Sequence, residues 1–245
     1  MAPSIAGGTG KQRIPALASP GAWQDNRPQH GVAPCWLLLA PLALSRAPLR
    51  FPTMTLLVLG LVLFLGAHSS RVFAEGPRQR FIAQRGANAW KGLYTVVSVV
   101  GFVLIVWGYG QARQEPTVLW GSPLWVRHLA SLLTLVAFVL LAAAYVPRNA
   151  IKARLGHPMV LGVKAWALAH LVSNNTLADL LLFGGFLLWA VLSYRAARAR
   201  DRAAGAVSVP GEASRTALTV VVGLVAWAAF AFWAHGAWIG VRPFG

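Results

Sequence analysis

The sequence predicts an all-α fold, a polytopic bundle of about six transmembrane helices with no soluble catalytic domain. Three observations carry that expectation. Of the 245 residues, 57% are hydrophobic and only 11% charged, whereas a water-soluble domain carries about a quarter charged residues. The apolar residues gather into runs that approach the ~20 needed to cross roughly 30 Å of hydrocarbon. The basic residues collect in alternate connections between those runs, as the positive-inside rule requires.

The expected spans are 55–72, 91–109, 126–146, 157–173, 177–194 and 216–238. The fourth is the weakest, because Lys164 interrupts it and His157 and His170 stand towards its ends. Pro147 follows the third span and Pro158 opens the fourth, where proline suits a first helical turn. Asn174-Asn175 marks a tight turn between the fourth and fifth. The first connection holds Arg71, Arg78, Arg80, Arg85 and Lys91 against Glu75. The third holds Arg148, Lys152 and Arg154, and the fifth Arg195, Arg198, Arg200, Arg202 and Arg215 against Asp201 and Glu212. The second and fourth are nearly neutral. Odd connections are therefore expected in the cytoplasm and both termini in the periplasm, for a multi-pass protein of the bacterial inner membrane.

Residues 1–53 break the alternation: Lys11, Arg13, Arg27, Arg46 and Arg50 would lie on the side that should be poor in positive charge. One reading is a disordered basic leader, rich in Pro, Gly and Ala. The preferred reading starts translation at Met54 and leaves residues 1–53 untranslated. A signal peptide cut after Ala74 is opposed by Arg71 close to the cut.

The net charge of +16 does not point to nucleic acid, because no groove-reading basic helix is present. A single cysteine, Cys35, excludes an internal disulfide, a cysteine zinc cluster, an iron–sulfur site and covalent c-type haem. Phosphate-binding glycine loops, HExxH and the serine nucleophile elbow are missing. What remains is a set of ionisable residues in or beside apolar spans, where they are costly and functional by default: His68, His157, Lys164, His170, Asp179 and His235. His157 and His235 also suit an interface, His128 beside Arg127 more so, and Lys164 can snorkel. His68 and His170 lie deeper and make a candidate metal or haem pair, or two inter-helix hydrogen bonds. His157 and His170, 13 residues apart on one helix, are separated by about 20 Å and roughly 140°, so one iron cannot take both. Asp179, four residues after Asn175, faces His170, four before Asn174, across the turn. It is expected either to bond that imidazole or to cap the fifth helix.

The stretch HPMVLGVKAWALAHLVSNNTLADLLLFGGFLLWAVLSY at 157–194 resembles the signature of the NnrU family of bacterial membrane proteins. GAHSSR at 66–71 and AAYVPRN at 143–149 are similar to that family too, and the likeness runs from Met54 to the C-terminus. The resemblance implies an integral membrane protein linked to nitric oxide and denitrification metabolism, with respiratory or denitrification membrane proteins as partners besides the lipid bilayer. The family is distantly similar to zeta-carotene isomerase, which uses haem b, and whose ligand histidines match His68 and His170. That likeness implies haem b held by His68 and His170 as iron ligands. The isomerase has a cysteine three residues before the second ligand where Ala167 stands here, which weakens the implied isomerase chemistry. Span positions put His68 and His170 roughly 10 Å apart in depth. His157 is the rival ligand, and His157 and Asp179 complete the candidate cofactor-binding set. Three functions stay open: a haem protein of nitric oxide metabolism, a haem-dependent cis–trans isomerase of a lipid-soluble polyene, and a non-enzymatic partner in a respiratory complex.

Overall fold

The computed structural model describes residues 54–244. The readings made of residues 1–53, Cys35 included, lie outside the described residues. The chain is helical throughout: α1 (Thr55–His68), α2 (Ser70–Phe73), α3 (Glu75–Arg85), α4 (Ala87–Ala112), α5 (Trp125–Tyr145), α6 (Ala150–Leu155), α7 (Pro158–Ser173), α8 (Leu177–Ala203), α9 (Ala213–Ala229), a π-helical turn (Phe230–Ala234) and α10 (His235–Ile239). Among the described residues, β pairing is confined to two isolated bridges, Val118 with Thr176 and Asn149 with Glu212.

Four segments are long and apolar enough to cross a membrane: Ala87–Ala112, Trp125–Tyr145, Leu177–Ala203 and Ala213–Ile239, the last running through the π turn. The other two expected spans are apolar but shorter. Expected to reach residue 72, the first stops at His68, where a single turn residue, Ser69, separates it from the short α2. Its 14 residues cover about 21 Å. The fourth begins at Pro158 with His157 as its N-cap, and its 16 residues cover about 24 Å. The fifth outruns its apolar stretch by about two and a half turns, because the Ala/Arg-rich segment after Tyr194 is made of strong helix formers.

The outer faces are apolar and uncovered. Val96, Val99, Phe102, Val103 and Val106 of α4 each expose more than half their surface, a continuous patch that lipid can cover and water penalises. Packing between helices relies on close backbone approach, as expected where lipid supplies no hydrophobic drive for association. A Cβ at Gly60 would stand 2.6 Å from the Ile105 nitrogen, and one at Gly101 2.7 Å from the Phe64 nitrogen. At Gly108 it would collide with the Leu57 backbone. These three glycines let α1 lie directly on α4. The densest core follows beside them: Leu57 and Leu61 of α1, Ile105 and Ala112 of α4, and Ala178, Leu182 and Phe183 of α8.

Connections meet at two ends, sorted by parity. At one end, the Leu119 N–H donates to Asn175 O (2.8 Å), the Leu177 N–H to Thr117 O (2.9 Å) and Arg113 to Ile239 O (3.3 Å). At the other, the Glu212 N–H donates to Arg148 O (2.8 Å), Arg200 to Arg71 O (3.2 Å), and Arg148 pairs with Glu212 at 2.9 Å. The second end carries most of the basic residues, with Arg113, Arg127 and Arg242 at the first.

Gly108→Ala is expected to lower the thermal midpoint of the detergent-solubilised protein by overpacking α1 on α4, at a cost of about 1–3 kcal/mol. Gly110→Ala, where an added Cβ meets nothing within 4 Å, should leave the midpoint unchanged or raise it slightly.

Candidate functional site

Three of the ionisable residues singled out in the spans, Asp179, His170 and His68, lie in or against α8. Asp179, in its first turn, is 6% exposed. Its Oδ2 accepts the Thr176 N–H (3.1 Å) and hydroxyl (2.6 Å), while its own N–H donates to Thr176 Oγ1 (3.2 Å), a reciprocal capping box. Its Oδ1 accepts the hydroxyl of Tyr109, on α4, at 2.5 Å. Both carboxylate oxygens are thereby occupied. Of the two roles expected for Asp179, the structure takes the cap, and the bond to the His170 imidazole is not formed. The reason is local: the third helical position turns the carboxylate back over Thr176, and Tyr109 fills what remains.

His170, half-buried near the end of α7, donates from Nδ1 to Trp166 O at 2.9 Å. Its ring stacks on Phe183 of α8, centroids 4.6 Å apart, and lies 5.2 Å from the Trp166 ring. His68, the last residue of α1, donates from Nδ1 to Phe64 O at 2.7 Å. Its ring stacks on Phe64 at 4.1 Å, with Tyr94 of α4 at 5.1 Å and Trp189 of α8 edge-on at 6.0 Å. The two histidines share one arrangement: Nδ1–H is spent on the carbonyl four residues back, which fixes the tautomer and leaves Nε2 as the acceptor nitrogen.

They do not stand at one level. His170 lies against Phe183 and His68 against Trp189, six residues on, or about 9 Å along α8. A chain of rings joins them: Phe64 to Phe186 at 5.8 Å, Phe186 to Trp166 at 5.5 Å, Trp166 to His170 at 5.2 Å. At the His68 end, the Trp189 indole N–H and the Ser193 hydroxyl, one turn apart on α8, are buried without a hydrogen-bond partner. Native proteins rarely leave such groups unsatisfied unless water or a ligand meets them.

The other candidates go elsewhere. His157 lies past the His68 level, with Nε2 donating to Asp201 Oδ2 at 2.9 Å, so its outer nitrogen is already engaged. Lys164 is exposed on the outside of the bundle, where it can snorkel. His128 is exposed. His235, at the exit of the π turn, donates from Nδ1 to Val241 O at 2.6 Å and ties down the C-terminus. Ala167 is fully buried. Among the described residues, no three His, Cys, Asp or Glu side chains are grouped to hold a metal ion.

As donors, His68 and His170 would suit a haem iron: each could offer Nε2 from an aromatic-lined setting, with its ring orientation set by the Nδ1 hydrogen bond. As a pair on one iron they do not yet meet, because Phe64, Phe186 and Trp166 occupy the space between their levels. Sequence reasoning missed Tyr109 and the ring chain altogether. No single-chain signal says which helices are neighbours, so a tyrosine near the end of α4 gives no sign that it faces Asp179.

An all-α bundle with four membrane-length apolar helices, uncovered apolar flanks and one strongly basic end defines the class, an integral membrane protein. Within that class the chain belongs to the NnrU family, whose model, described as NnrU protein, matches residues 56–243. No curated protein and no solved structure matches it.

Tyr109→Phe is expected to leave the Asp179 Oδ1 unpaired in a buried place, destabilising the fold by about 1–3 kcal/mol. A lowered thermal midpoint with unchanged helical circular dichroism would show it.

Proposed function

We propose that the chain crosses the bacterial inner membrane six times, with its basic end in the cytoplasm, and uses His68 and His170 to hold haem b in the service of nitric oxide or denitrification metabolism. The shared histidine geometry carries the proposal: two interior imidazoles, each with Nδ1–H committed to its own helix and Nε2 left over. A bound haem would supply an iron able to take a diatomic ligand or exchange an electron.

The protein's own part is positioning. Phe64 and Phe183 stack on the two imidazoles and hold their planes. The Trp189 N–H and Ser193 hydroxyl offer unspent hydrogen bonds next to His68, suited to a polar edge of whatever binds there. Ligation of one iron by both histidines would require the Phe64, Phe186 and Trp166 rings to part. Ala167 provides no thiolate next to His170 to exchange as a ligand, so the reading favours binding or electron transfer over isomerase-type switching.

Purified protein reconstituted with haem is expected to show a Soret band, abolished in His68→Ala and in His170→Ala. No band in the wild type, or unchanged bands in both variants, removes the haem reading.

Six crossings are supported by the parity of the connections. Short α1 and α7 can cross if the bilayer thins beside them or their flanks snorkel. With Cys35 replaced by Ser, a membrane-impermeant thiol reagent applied from the periplasm should label Gly121→Cys and spare Ala206→Cys. The reverse pattern inverts the orientation, and labelling of both ends means an even number of crossings between them.

A further inference from the structure

Past Tyr194, where the apolar stretch of α8 ends, the helix continues with Arg195, Arg198 and Arg202 along one flank. At 100° per residue these three fall within an arc of about 60° and rise over about 10 Å. With Tyr194 they line an open groove of about 580 Å³. The α6–α7 junction sits beside it. Tyr194 donates its hydroxyl to Leu155 O at 2.9 Å, and the Arg198 guanidinium crosses Gly156 so closely that a Cβ there would lie 2.8 Å from Nη1. Gly156 has φ +81°, a conformation that also disfavours any side chain. Arg198 is steadied by Asp201 at 3.3 Å, and Asp201 also takes the His157 Nε2–H. Among the described residues, neither Arg195 nor Arg202 has a carboxylate partner within salt-bridge range, and both are exposed.

We infer that this groove is a binding site for the phosphate of an anionic phospholipid in the cytoplasmic leaflet. Diffuse positive charge alone would follow from the positive-inside rule and needs no shape. What separates this flank from the rest of the basic end is its construction. One arginine is held in place by a carboxylate and a glycine, two more stand unpaired a turn to either side, and a tyrosine marks the boundary with the hydrocarbon. The lining comes from α8 alone, so recognition rests on the guanidinium forks, which match phosphate oxygens, in a basic segment beside the membrane of the kind that attracts anionic headgroups. The inference rests on the six-crossing orientation for the leaflet it names, and on the groove alone for the lipid.

The test is co-purification from mixed phosphatidylcholine and phosphatidylglycerol membranes, read by native mass spectrometry. Wild-type protein should retain phosphatidylglycerol over phosphatidylcholine. The double variant Arg195→Gln/Arg202→Gln should lose that enrichment by about tenfold or more. The charge-matched pair Arg80→Gln/Arg85→Gln, at the same end of the molecule but on α3, should keep it. Equal loss in both pairs means diffuse charge only and overturns the site, as does a wild type with no preference. Release of the lipid by millimolar inorganic phosphate would reassign the groove to a free anion and likewise overturn the proposal. Should the double variant fail to fold, protection of Arg195 and Arg202 from phenylglyoxal by phosphatidylglycerol, with Arg80 and Arg85 modified as before, decides the same point in the native chain. A reversed cysteine-labelling pattern would overturn the leaflet without touching the lipid.

Discussion

A carboxylate placed in the first turn of a helix inside an apolar bundle cannot stand alone, and the arrangement of this protein depends on how Asp179 is satisfied. Leaving a buried hydrogen-bonding group unsatisfied costs about 1–3 kcal/mol, and more for a charged one, so the partners of Asp179 are as constrained as the residue itself. Thr176 satisfies it from the same helix and Tyr109 from α4. The second contact matters more for the architecture, because it pins the start of α8 to the end of α4 and so sets their register. The glycine contacts of α4 then fix α1, and with it the level of His68. The short turn at Asn174-Asn175 does the same for α7 and His170. Two histidines on different helices are thus referred to one origin, and their offset of about 9 Å along α8 follows from it.

This dependence explains what was legible in the sequence. Helix positions were, because apolar runs and basic connections follow from each segment's own composition. The starts of α1, α5 and α8 lie within a residue of their expected places, and the departures have local causes, such as the turn at Ser69 and the helix-forming Ala/Arg tail after Tyr194. The capping role of Asp179 was also legible, since Thr176 precedes it by three residues, the spacing of a capping box. The neighbours of each helix were not. Tyr109, Phe183, Phe186 and Trp189 are ordinary span residues until the packing order is known. That order arises from glycine contacts whose partners, such as the Phe64 backbone, have no distinctive sequence pattern. The imidazole that Asp179 was a candidate to bond is instead bonded to its own helix, a choice set by side-chain reach rather than by sequence distance.

The same register divides the molecule along α8 into zones of different chemistry. Near its start, around Asp179, the polar groups are mutually satisfied and the core is densest, with Leu57 fully buried. In the middle, rings replace polar contacts, and the two imidazoles present unspent nitrogens to a chain of aromatic side chains. Around Trp189 and Ser193, polar atoms are buried and unmatched. Beyond Tyr194 the helix is cationic. Polar matching therefore decreases from the neutral end towards the basic end, although Ala190, Ser193 and Ala197 keep α8 buried there. A site that must admit a polar group is expected where buried polar atoms lack partners.

That gradient bears on how the two histidines could act together. Moving His170 would disturb Phe183, which packs in the dense core, and through it the Tyr109–Asp179 contact. His68 is the last residue of a 14-residue helix, followed by a turn at Ser69 and the short α2, so its ring could shift at the helix end while the body of α1 stays on its Gly101 and Gly108 contacts. If the pair closes on one ligand, His170 is the fixed partner and His68 the mobile one. Arg200 would limit the travel, because it holds the Arg71 carbonyl three residues after His68 and ties the end of α1 to the cationic tail of α8. The groove inferred for an anionic lipid lies on that same tail, on a different flank. Its occupancy would stiffen the segment that anchors the mobile histidine, which gives the lipid face and the interior site a physical route of coupling along one helix.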